Sequence, residues 1–309
     1  MDKVILITGT STGFGRTAAE TLAQRGYRVF ATIRDSSGRN AATSEALRSL
    51  ANAKRWNLDV LEMDVTNDAS VNHAVQQALD RAGRIDVVIN NAGIAGLGLT
   101  EAFTVEQFRQ IFEVNLLGVV RVNRAVLPAM RRQRGGLLIH VSSGMGRAVV
   151  PGFAAYSASK FALEALADAY RFELSQLGID SVIVEPGIHR TPILEKFLSP
   201  ADQNRVAEYG STAEAIKRVK SVFEEASSAL ETPGPEGVVE SFVRLIETPA
   251  GERPFRTVPT AAIAPLLEPY NALAATMRDT VAQIFKVPEL TVLQPPASED
   301  VKRNAKVSA

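Results

Sequence analysis

Residues 8–15 read TGTSTGFG and directly follow the short apolar run VILI at residues 4–7. Three glycines within eight residues permit a tight turn and let the backbone approach a phosphate group closely. A helical pattern begins at residue 14, and the free N–H groups and positive dipole end of such a helix attract anions. A strand, a glycine-rich turn and a helix in this order predict a dinucleotide-binding site, the alternative being an ordinary turn between a strand and a helix.

Short apolar strands alternate with amphipathic helices over the first two thirds of the chain. The predicted strands cover residues 3–8, 28–33, 55–63, 85–89, 137–141 and 181–184. The predicted helices cover residues 14–25, 69–81, 105–132 and 155–177, and Pro128 predicts a kink or break near the end of the third. The alternation predicts an α/β protein with a doubly wound Rossmann fold, a parallel sheet that helices cover on both faces.

The pattern changes after residue 191, where helical segments follow one another without an intervening strand. Residues 195–230 and 236–247 are helical in pattern, and residues 253–258 form a predicted last strand. Without an internal repeat or a flexible linker, we expect a single domain at residues 1–260, in which residues 191–230 form the substrate-binding loop and helices. Residues 261–309 are predicted to be a helical C-terminal extension that ends in a frayed tail over residues 289–309.

Composition excludes several classes of function. Lysine plus arginine balance aspartate plus glutamate at 34 each, so no net field favours nucleic acid or an acidic membrane. The 309 residues contain no cysteine and only three histidines, which excludes thiolate chemistry and leaves no expected metal site. No apolar stretch approaches the ~20 residues of a membrane span, so we expect a soluble cytoplasmic protein.

Further motifs follow the glycine-rich turn in a fixed order. Residues 90–93 read NNAG, Asn115 lies in the long helix, Ser143 follows a strand, residues 156–160 read YSASK, and Pro186-Gly187 precedes Thr191. With its turn of the form Gly-x-x-x-Gly-x-Gly, the chain resembles the short-chain dehydrogenase/reductase family over residues 3–192. The resemblance implies hydride transfer between a nicotinamide cofactor and an alcohol or ketone.

The family motifs place the expected cofactor contacts and catalytic groups on numbered positions. The resemblance implies the following cofactor-binding residues: Gly9, Ser11, Thr12, Gly13, Phe14, Gly15, Arg34, Asp64, Val65, Asn91, Ala92, Gly93, Tyr156, Lys160, Pro186, Gly187, Ile188 and Thr191. It implies a catalytic tetrad made of Asn115, Ser143, Tyr156 and Lys160. A cap or turn role is the alternative for Asp64.

Tyr156 is the expected acid/base. A free tyrosine has a pKa of ~10 and needs help to exchange protons near neutrality. Lys160 lies one helical turn later on the same face, so its ammonium is expected to lower the pKa of Tyr156, as is the positive charge of an oxidised nicotinamide. Ser143 is expected to orient the substrate oxygen, and Asn115 to hold a water that links Lys160 to solvent.

The residues after the second strand bear on the choice of nicotinamide. NAD-dependent enzymes place a carboxylate there, whereas the last strand residue here is Ile33, and Arg34 follows. A guanidinium pairs well with a 2′-phosphate, and Thr12 and Arg39 are further candidates, so we expect NADP. Asp35 leaves NAD open as the alternative.

Specificity is expected to come from three mostly apolar loops, which favour a hydrophobic secondary alcohol, ketone or aldehyde. Their predicted pocket residues are Leu97, Leu99, Met145, Val149, Phe153, Ile193, Leu194, Phe197 and Leu198. The chain is also similar to the 17β-hydroxysteroid and retinol dehydrogenase branch of the family. Family members pair through the helices here at residues 105–132 and 155–177, so the resemblance implies a homodimer.

Two other classes of function are weighed against the enzyme. A cofactor-binding sensor or scaffold without turnover usually lacks the tyrosine or the lysine, and both are present here. A sugar-nucleotide epimerase carries a Gly-x-x-Gly-x-x-Gly turn, which differs from the spacing of Gly9, Gly13 and Gly15. His140 is expected to be a packed core residue, and His189 an exposed loop residue.

Overall fold

A computed structural model describes residues 3–193 and 196–294. Its centre is a parallel sheet of seven strands in the order β3-β2-β1-β4-β5-β6-β7. The strands are β1 (Val4–Ile7), β2 (Arg28–Ile33), β3 (Leu58–Glu62), β4 (Val87–Asn90), β5 (Gly136–Val141), β6 (Ile179–Val184) and β7 (Arg256–Thr257). The strand order reverses between β1 and β4, which is where a doubly wound sheet opens a crevice at its carboxyl edge.

Helices cover both faces of the sheet. They are α1 (Gly13–Gln24), α2 (Ala41–Lys54), α3 (Asp68–Ala82), α4 (Val105–Phe112), α5 (Gly118–Gln133), α6 (Ala154–Ser175), α7 (Gln203–Glu208), α8 (Gly210–Ser228), α9 (Glu236–Glu247) and α10 (Ala264–Ile284). Side chains that alternate along β1 divide between two cores: Ile5 and Ile7 pack with α1, α2 and α9, whereas Leu6 packs with α3, α5 and α6. The predicted Rossmann fold with one domain is confirmed.

The structure differs from the predicted elements at three places. Helix α2 was not expected, because only Ser44, Leu47 and Ala51 of its residues are buried, which makes a weak apolar stripe. The single helix expected over residues 105–132 is interrupted by a π-helical turn at Glu113–Leu117. Pro128 lies inside α5, and the helix continues to Gln133.

The last third of the chain returns to the sheet. β7 pairs with β6 through Ile183 and Val184, and α10 follows as the predicted helical extension. The expected frayed tail falls largely on residues 295–309, which lie outside the described residues, while Pro288–Thr291 forms one short 3₁₀ turn. Over the part of the chain that the structure describes, no helix is long and apolar enough to cross a membrane.

Candidate active site

The turn between β1 and α1 is a cradle that only glycine can form. Gly9 and Gly13 have φ angles of 71° and 58°, a region that other L residues rarely adopt. A Cβ at Gly9 would lie 2.9 Å from Ala92 Cα, and one at Gly15 would lie 2.4 Å from Asn91 Nδ2. The backbone is thus closely packed on one side, and the N-terminus of α1 opens on the other, which fits a dinucleotide phosphate.

Thr8 and Asn91 fasten this turn to the end of β4. The Thr8 hydroxyl accepts the backbone N–H groups of Asn91 and Ala92 at 3.0 Å each. The side-chain amide of Asn91 donates to the carbonyl oxygens of Thr8 at 2.9 Å and Gly9 at 3.1 Å. The NNAG motif therefore builds one wall of the crevice and fixes the phosphate turn against it.

A polar cleft of about 580 Å³ extends from this turn along the carboxyl edge of the sheet. Of the predicted cofactor residues, it is lined by Gly9, Ser11, Thr12, Gly13, Phe14, Arg34, Asp64, Val65, Asn91, Ala92, Gly93, Tyr156, Lys160 and Thr191. Gly15 supports the turn from inside, and Pro186, Gly187 and Ile188 line the neighbouring apolar cavity instead. Lining residues that were not predicted include Asn40, Gln110 and Lys196.

The end of the cleft beside β2 carries two guanidinium groups. Ile33 is the last residue of β2, as predicted, and Arg34 and Arg39 both line the cleft. Asp35 has a φ of 49°, and its carboxylate accepts the backbone N–H of Arg39 at 2.9 Å. The acid that follows the strand most closely is therefore used to close a turn.

Two of the predicted cofactor-binding residues, Asp64 and Thr12, form side-chain hydrogen bonds within the chain. Asp64 Oδ1 accepts the backbone N–H of Thr66 at 2.9 Å and its hydroxyl at 2.8 Å, so this residue fulfils the alternative turn role while lining the cleft. The Thr12 hydroxyl accepts a hydrogen bond from Lys196 Nζ at 2.8 Å. Lys196 belongs to the segment after Thr191, so this segment contacts the phosphate turn.

The expected tetrad comes together at the carboxyl ends of β4 and β5. Tyr156 and Lys160 occupy the first two turns of α6, with Lys160 Nζ 5.7 Å from the centre of the Tyr156 ring. Ser143 follows β5 and forms a hydrogen bond with Tyr156, while its Oγ also accepts the Met145 N–H at 3.1 Å. Ser142, one residue earlier, lies beside Glu164.

The pKa of Tyr156 shifts opposite to the expectation. Burial raises the pKa of Tyr156 to about 12, and the hydrogen bond with Ser143 offsets only part of this rise. Burial also lowers the pKa of Lys160 to about 8, while the nearby Glu164 raises it. Lys160 Nζ donates a hydrogen bond to the carbonyl oxygen of Val141 at 2.8 Å. Burial disfavours both the phenolate of Tyr156 and the ammonium of Lys160, so it raises the pKa of Tyr156 and lowers the pKa of Lys160.

Asn115 is in the π-helical turn, and its side chain is fully bonded. Its Oδ1 accepts the N–H of Ile94, and its Nδ2 donates to the carbonyl of Ile94 and to Ser159 Oγ, all at 2.9 Å. The side chain therefore anchors the loop after β4 to α6. The water link to Lys160 remains a prediction.

An apolar cavity of about 750 Å³ adjoins the polar cleft. Tyr156 and Ser142 line both spaces, and Ser143 lines the apolar one. Three phenylalanines form one part of its wall, with ring centres of Phe153 and Phe223 5.2 Å apart and those of Phe153 and Phe197 5.7 Å apart. Tyr156 thus lies where a polar and an apolar space meet.

The expected pocket residues are partly confirmed. Met145, Phe153, Ile193 and Phe197 line the cavity, and Leu198 lines the cleft. Leu97 and Leu99 are buried and do not line the cavity, which Ala95 lines from the same loop. Val149 does not line it either and is 66% exposed. Leu194 lies outside the described residues. His189 is buried against the ring of Phe14 rather than exposed, with ring centres 5.4 Å apart.

The cavity wall includes α8, which belongs to the predicted substrate-binding segment, and the start of α10, which the sequence did not indicate. Ile263, Leu266 and Leu267 line it from the start of α10, and Ala215, Val219, Val222 and Phe223 line it from α8. Their apolar spacing is visible in the sequence, but it does not show which space the residues face. Within the described residues, no group of three or more potential ligands could hold a metal ion.

Comparison with known proteins identifies the family of this chain. The family model for short chain dehydrogenase matches residues 3–202, and the chain belongs to this family of oxidoreductases, which act on CH–OH groups. It is 37% identical to the uncharacterized oxidoreductase YusZ of Bacillus subtilis over 67% of this chain and 74% of that protein. It is 30% identical to retinol dehydrogenase 7 of Mus musculus over 80% of this chain and 71% of that protein, which confirms retinol dehydrogenase-like relatives.

Solved structures agree as well. A short-chain dehydrogenase from Streptomyces avermitilis superposes with a TM-score of 0.74 at 29% identity, over 93% of this chain and 98% of that one. A variant of the actinorhodin polyketide ketoreductase with NADPH has a TM-score of 0.68 at 28% identity, over 83% and 95%. The 3-ketoacyl-(acyl-carrier-protein) reductase of Brucella melitensis with NADH has a TM-score of 0.67 at 25% identity, over 83% and 95%. Similar structures therefore hold either nicotinamide.

Proposed function

We propose that this chain is an NADP(H)-dependent oxidoreductase that interconverts a hydrophobic secondary alcohol and a ketone, or an aldehyde, with Tyr156 as the acid/base. The observation that carries this proposal is the position of Tyr156 in the walls of both the polar cleft and the apolar cavity. A nicotinamide bound in the cleft would supply or accept the hydride.

Ser143, Tyr156 and Lys160 would have separate roles in the reaction. Ser143 borders the apolar cavity and bonds to Tyr156, so its hydroxyl would hold the substrate oxygen within reach of the phenol. The phenol, whose pKa burial holds at about 12, would give its proton to that oxygen in the reductive direction. Lys160, buried one turn later, would carry the compensating positive charge.

The preference for NADP rests on the end of the cleft beside β2. Arg34 and Arg39 offer two guanidinium groups to a 2′-phosphate, and Asp35 is engaged in its own turn. An NAD-preferring alcohol dehydrogenase remains the alternative, because Asp35, which carries a carboxylate, directly follows Arg34. The apolar wall supports a hydrophobic substrate, in keeping with relatives named retinol dehydrogenase and ketoacyl reductase.

The test measures oxidation of NADPH and of NADH with a panel of hydrophobic ketones and aldehydes, and with a sugar as a polar control. We expect turnover with the apolar carbonyls and a higher kcat/KM for NADPH than for NADH. Comparable or better efficiency with NADH would contradict the cofactor preference. Tight NADPH binding without turnover across the panel would instead support the sensor or scaffold.

We also propose a homodimer that forms through α4–α6. Apolar side chains are exposed on these helices at Leu117 and Phe161, but a second exposed apolar face, with Leu273 and Met277, lies on α10. We expect light scattering to give a dimer that Phe161→Glu dissociates and Leu273→Glu does not. The reverse result would place the contact on α10. A cytoplasmic location stays a prediction from the residues.

A further inference from the structure

The mouth of the apolar cavity carries a positive charge. Five of the described lining residues are exposed and mark this mouth, namely Ala148, Ile193, Arg218, Val222 and Leu266. Phe153 and Leu267, in contrast, are buried and line the interior. Four of the five residues at the mouth are apolar, so Arg218 is a cation at the edge of an otherwise apolar opening.

Arg218 is the one charged side chain among the described residues that line the cavity. No aspartate, glutamate or lysine of this described set contributes to the wall. Burial lowers the pKa of His189, which also lines the cavity, from its ordinary value of 6.5, so this ring is uncharged at neutral pH. A molecule in the cavity therefore meets a positive charge at the mouth and neutral groups elsewhere along the described wall.

The neighbouring cations of α8 are paired with acids, and Arg218 is not. Lys217 Nζ lies 2.7 Å from Glu214 Oε1, and Lys220 Nζ lies 3.8 Å from Glu224 Oε1. Over residues 3–193 and 196–294, no carboxylate forms an ion pair with Arg218. Lys217 lowers the pKa of Glu214 most, and Arg218 adds a smaller effect in the same direction. The guanidinium is thus available to an anion from outside the chain.

Helical spacing places Arg218 on the cavity side of α8. It lies three residues after Ala215 and four before Val222, and both of these line the cavity from one face of the helix. Phe223, five residues after Arg218, packs its ring 5.2 Å from that of Phe153. At 1.5 Å per residue, Arg218 is about 7–8 Å along α8 from Phe223. The cation and the phenylalanine wall therefore lie at different depths of one cavity.

The site of the proposed reaction is at the buried part of this wall. Phe153 is 1% exposed, and its ring centre is 6.4 Å from that of Tyr156. A molecule whose carbonyl group is at Tyr156 passes the phenylalanine rings before it reaches Arg218 at the mouth. The space between the two ends is lined by apolar side chains, which suit a hydrocarbon chain.

We propose that the substrate is an amphipathic carbonyl compound with a carboxylate at the end remote from the carbonyl, and that Arg218 binds this carboxylate at the mouth of the cavity. The inference deepens the proposed function and rests on it, because Tyr156 places the carbonyl end. A guanidinium offers N–H donors in a planar fork that matches the two oxygens of a carboxylate. Water still reaches the mouth, so the carboxylate keeps part of its hydration while the chain is buried.

The first experiment compares a keto acid with its own methyl ester. The keto acid is an oxododecanoate with the ketone next to its terminal methyl group, and both compounds are reduced at about pH 7, where the carboxyl group is ionised. The measured quantity is the ratio of kcat/KM for the acid to kcat/KM for the ester. We expect Arg218→Met to lower this ratio about 3- to 10-fold, as for a charge-assisted hydrogen bond weakened by nearby water. Arg218→Lys keeps the charge and should lower the ratio less.

Lys217→Met is the matched control. It removes a cation from the next position of α8, and Lys217 does not line the cavity. Lys217 and Arg218 are both exposed, so we expect both variants to fold, which circular dichroism checks. The ratio in Lys217→Met should equal that of the wild type. Equal losses in the two variants would mean that only the total charge of α8 matters, and would overturn the proposal.

A second measurement needs no turnover. Calorimetry compares the binding of decanoate and of decanol to the protein with NADPH, because neither ligand carries a ketone. We expect Arg218→Glu to weaken the binding of decanoate at least about tenfold, since the new carboxylate repels it, and to change that of decanol less than about twofold. Added salt should weaken the binding of decanoate to the wild type more than to Arg218→Met. Equal losses for both ligands in Arg218→Glu would contradict the anion site.

The inference and the proposed function can fail separately. Turnover of both dodecanoate compounds, at a ratio that Arg218→Met leaves unchanged, overturns the inference and leaves the proposed function intact. Binding of decanoate that depends on Arg218, without turnover of either compound, contradicts the proposed function and supports the anion site.

Discussion

The carboxylate of Asp35 accepts a hydrogen bond from the backbone N–H of Arg39 at 2.9 Å. This bond closes the turn after β2. Arg34 and Arg39 are left to face the cleft. The acid that could have indicated NAD in the sequence is therefore engaged in a turn, and the proposed preference for NADP depends on Arg34 and Arg39.

Replacement of Arg34 tests this preference. A charge-assisted hydrogen bond contributes about 1.5–3 kcal/mol, so we expect Arg34→Ala to raise the KM for NADPH about 10- to 100-fold. The KM for NADH should change less than about twofold, because NADH has no 2′-phosphate for the guanidinium to bind. Arg109→Ala, which removes an exposed arginine paired with Glu106, is the matched control. Equal losses with both cofactors would argue against Arg34 as a phosphate ligand.

Replacement of Tyr156 tests the acid/base assignment. General acid catalysis contributes about 10²–10⁴-fold, so Tyr156→Phe is expected to lower kcat by at least that factor. Binding of NADPH, followed by its fluorescence, should remain close to that of the wild type. Tyr170→Phe on the same helix, whose ring stacks on His140, serves as the control. A near-normal rate in Tyr156→Phe would reject the mechanism.

Phe223 tests the apolar cavity as the substrate site. Its ring packs against Phe153 and Phe197, so Phe223→Ala would enlarge the cavity beside Tyr156. We expect the ratio of kcat/KM for a bulky ketone to that for a small one to rise about tenfold, the scale of one or two methylene groups. Leu230→Ala, at a side chain that is 85% exposed beyond α8, should leave the ratio unchanged. A shift in the control alone would locate the substrate elsewhere.

The burial of His140 predicts that the protein loses stability in acid. Burial lowers the pKa of His140 to about 3 from an ordinary value of 6.5, so the ring stays neutral in the folded protein. Below pH 6.5 the unfolded chain binds a proton that the folded chain does not, and stability therefore falls as the pH drops from 6.5 toward 3. Between about pH 7 and pH 4.5, this group alone costs roughly 2–3 kcal/mol of unfolding free energy.

Urea unfolding at about pH 7 and about pH 4.5 measures this loss. We expect His140→Phe, which keeps a ring against Tyr170, to lose roughly 2–3 kcal/mol less than the wild type over this interval. Other groups titrate in both proteins and cancel in the difference. An identical loss in the two proteins would mean that His140 is already protonated in the folded state.

Much of the fold was predictable from local patterns. β2 was predicted at its observed bounds because it is a short run of apolar and β-branched residues. α9 was also predicted at its observed bounds, because its apolar residues recur at helical spacing. The π-helical turn around Asn115 was not predicted, because such a turn adds one residue to a helix without changing the composition of the helix. Helix α2 was missed because few of its residues are buried.

The candidate site was predictable where motifs are contiguous and not where distant elements meet. The phosphate turn and the pair of Tyr156 and Lys160 lie on single elements, so their spacing carried the information. The cavity wall formed by α8 and α10 depends on packing between segments far apart in the chain. The pKa of Tyr156 could not be predicted either, because the sequence shows the nearby lysine but not the burial that opposes it.

The order of elements along the chain has a practical consequence. The phosphate turn, the residues after β2 and the tyrosine all precede residue 192, whereas most of the phenylalanine wall and both helices around the cavity follow it. We therefore expect the choice of nicotinamide to depend mostly on the first stretch and the choice of substrate mostly on the second, with Lys196 at the phosphate turn and Phe153 in the cavity wall as exceptions. We expect a chimera that takes residues 196–294 from a relative to acquire the relative's choice of substrate and to keep its own nicotinamide.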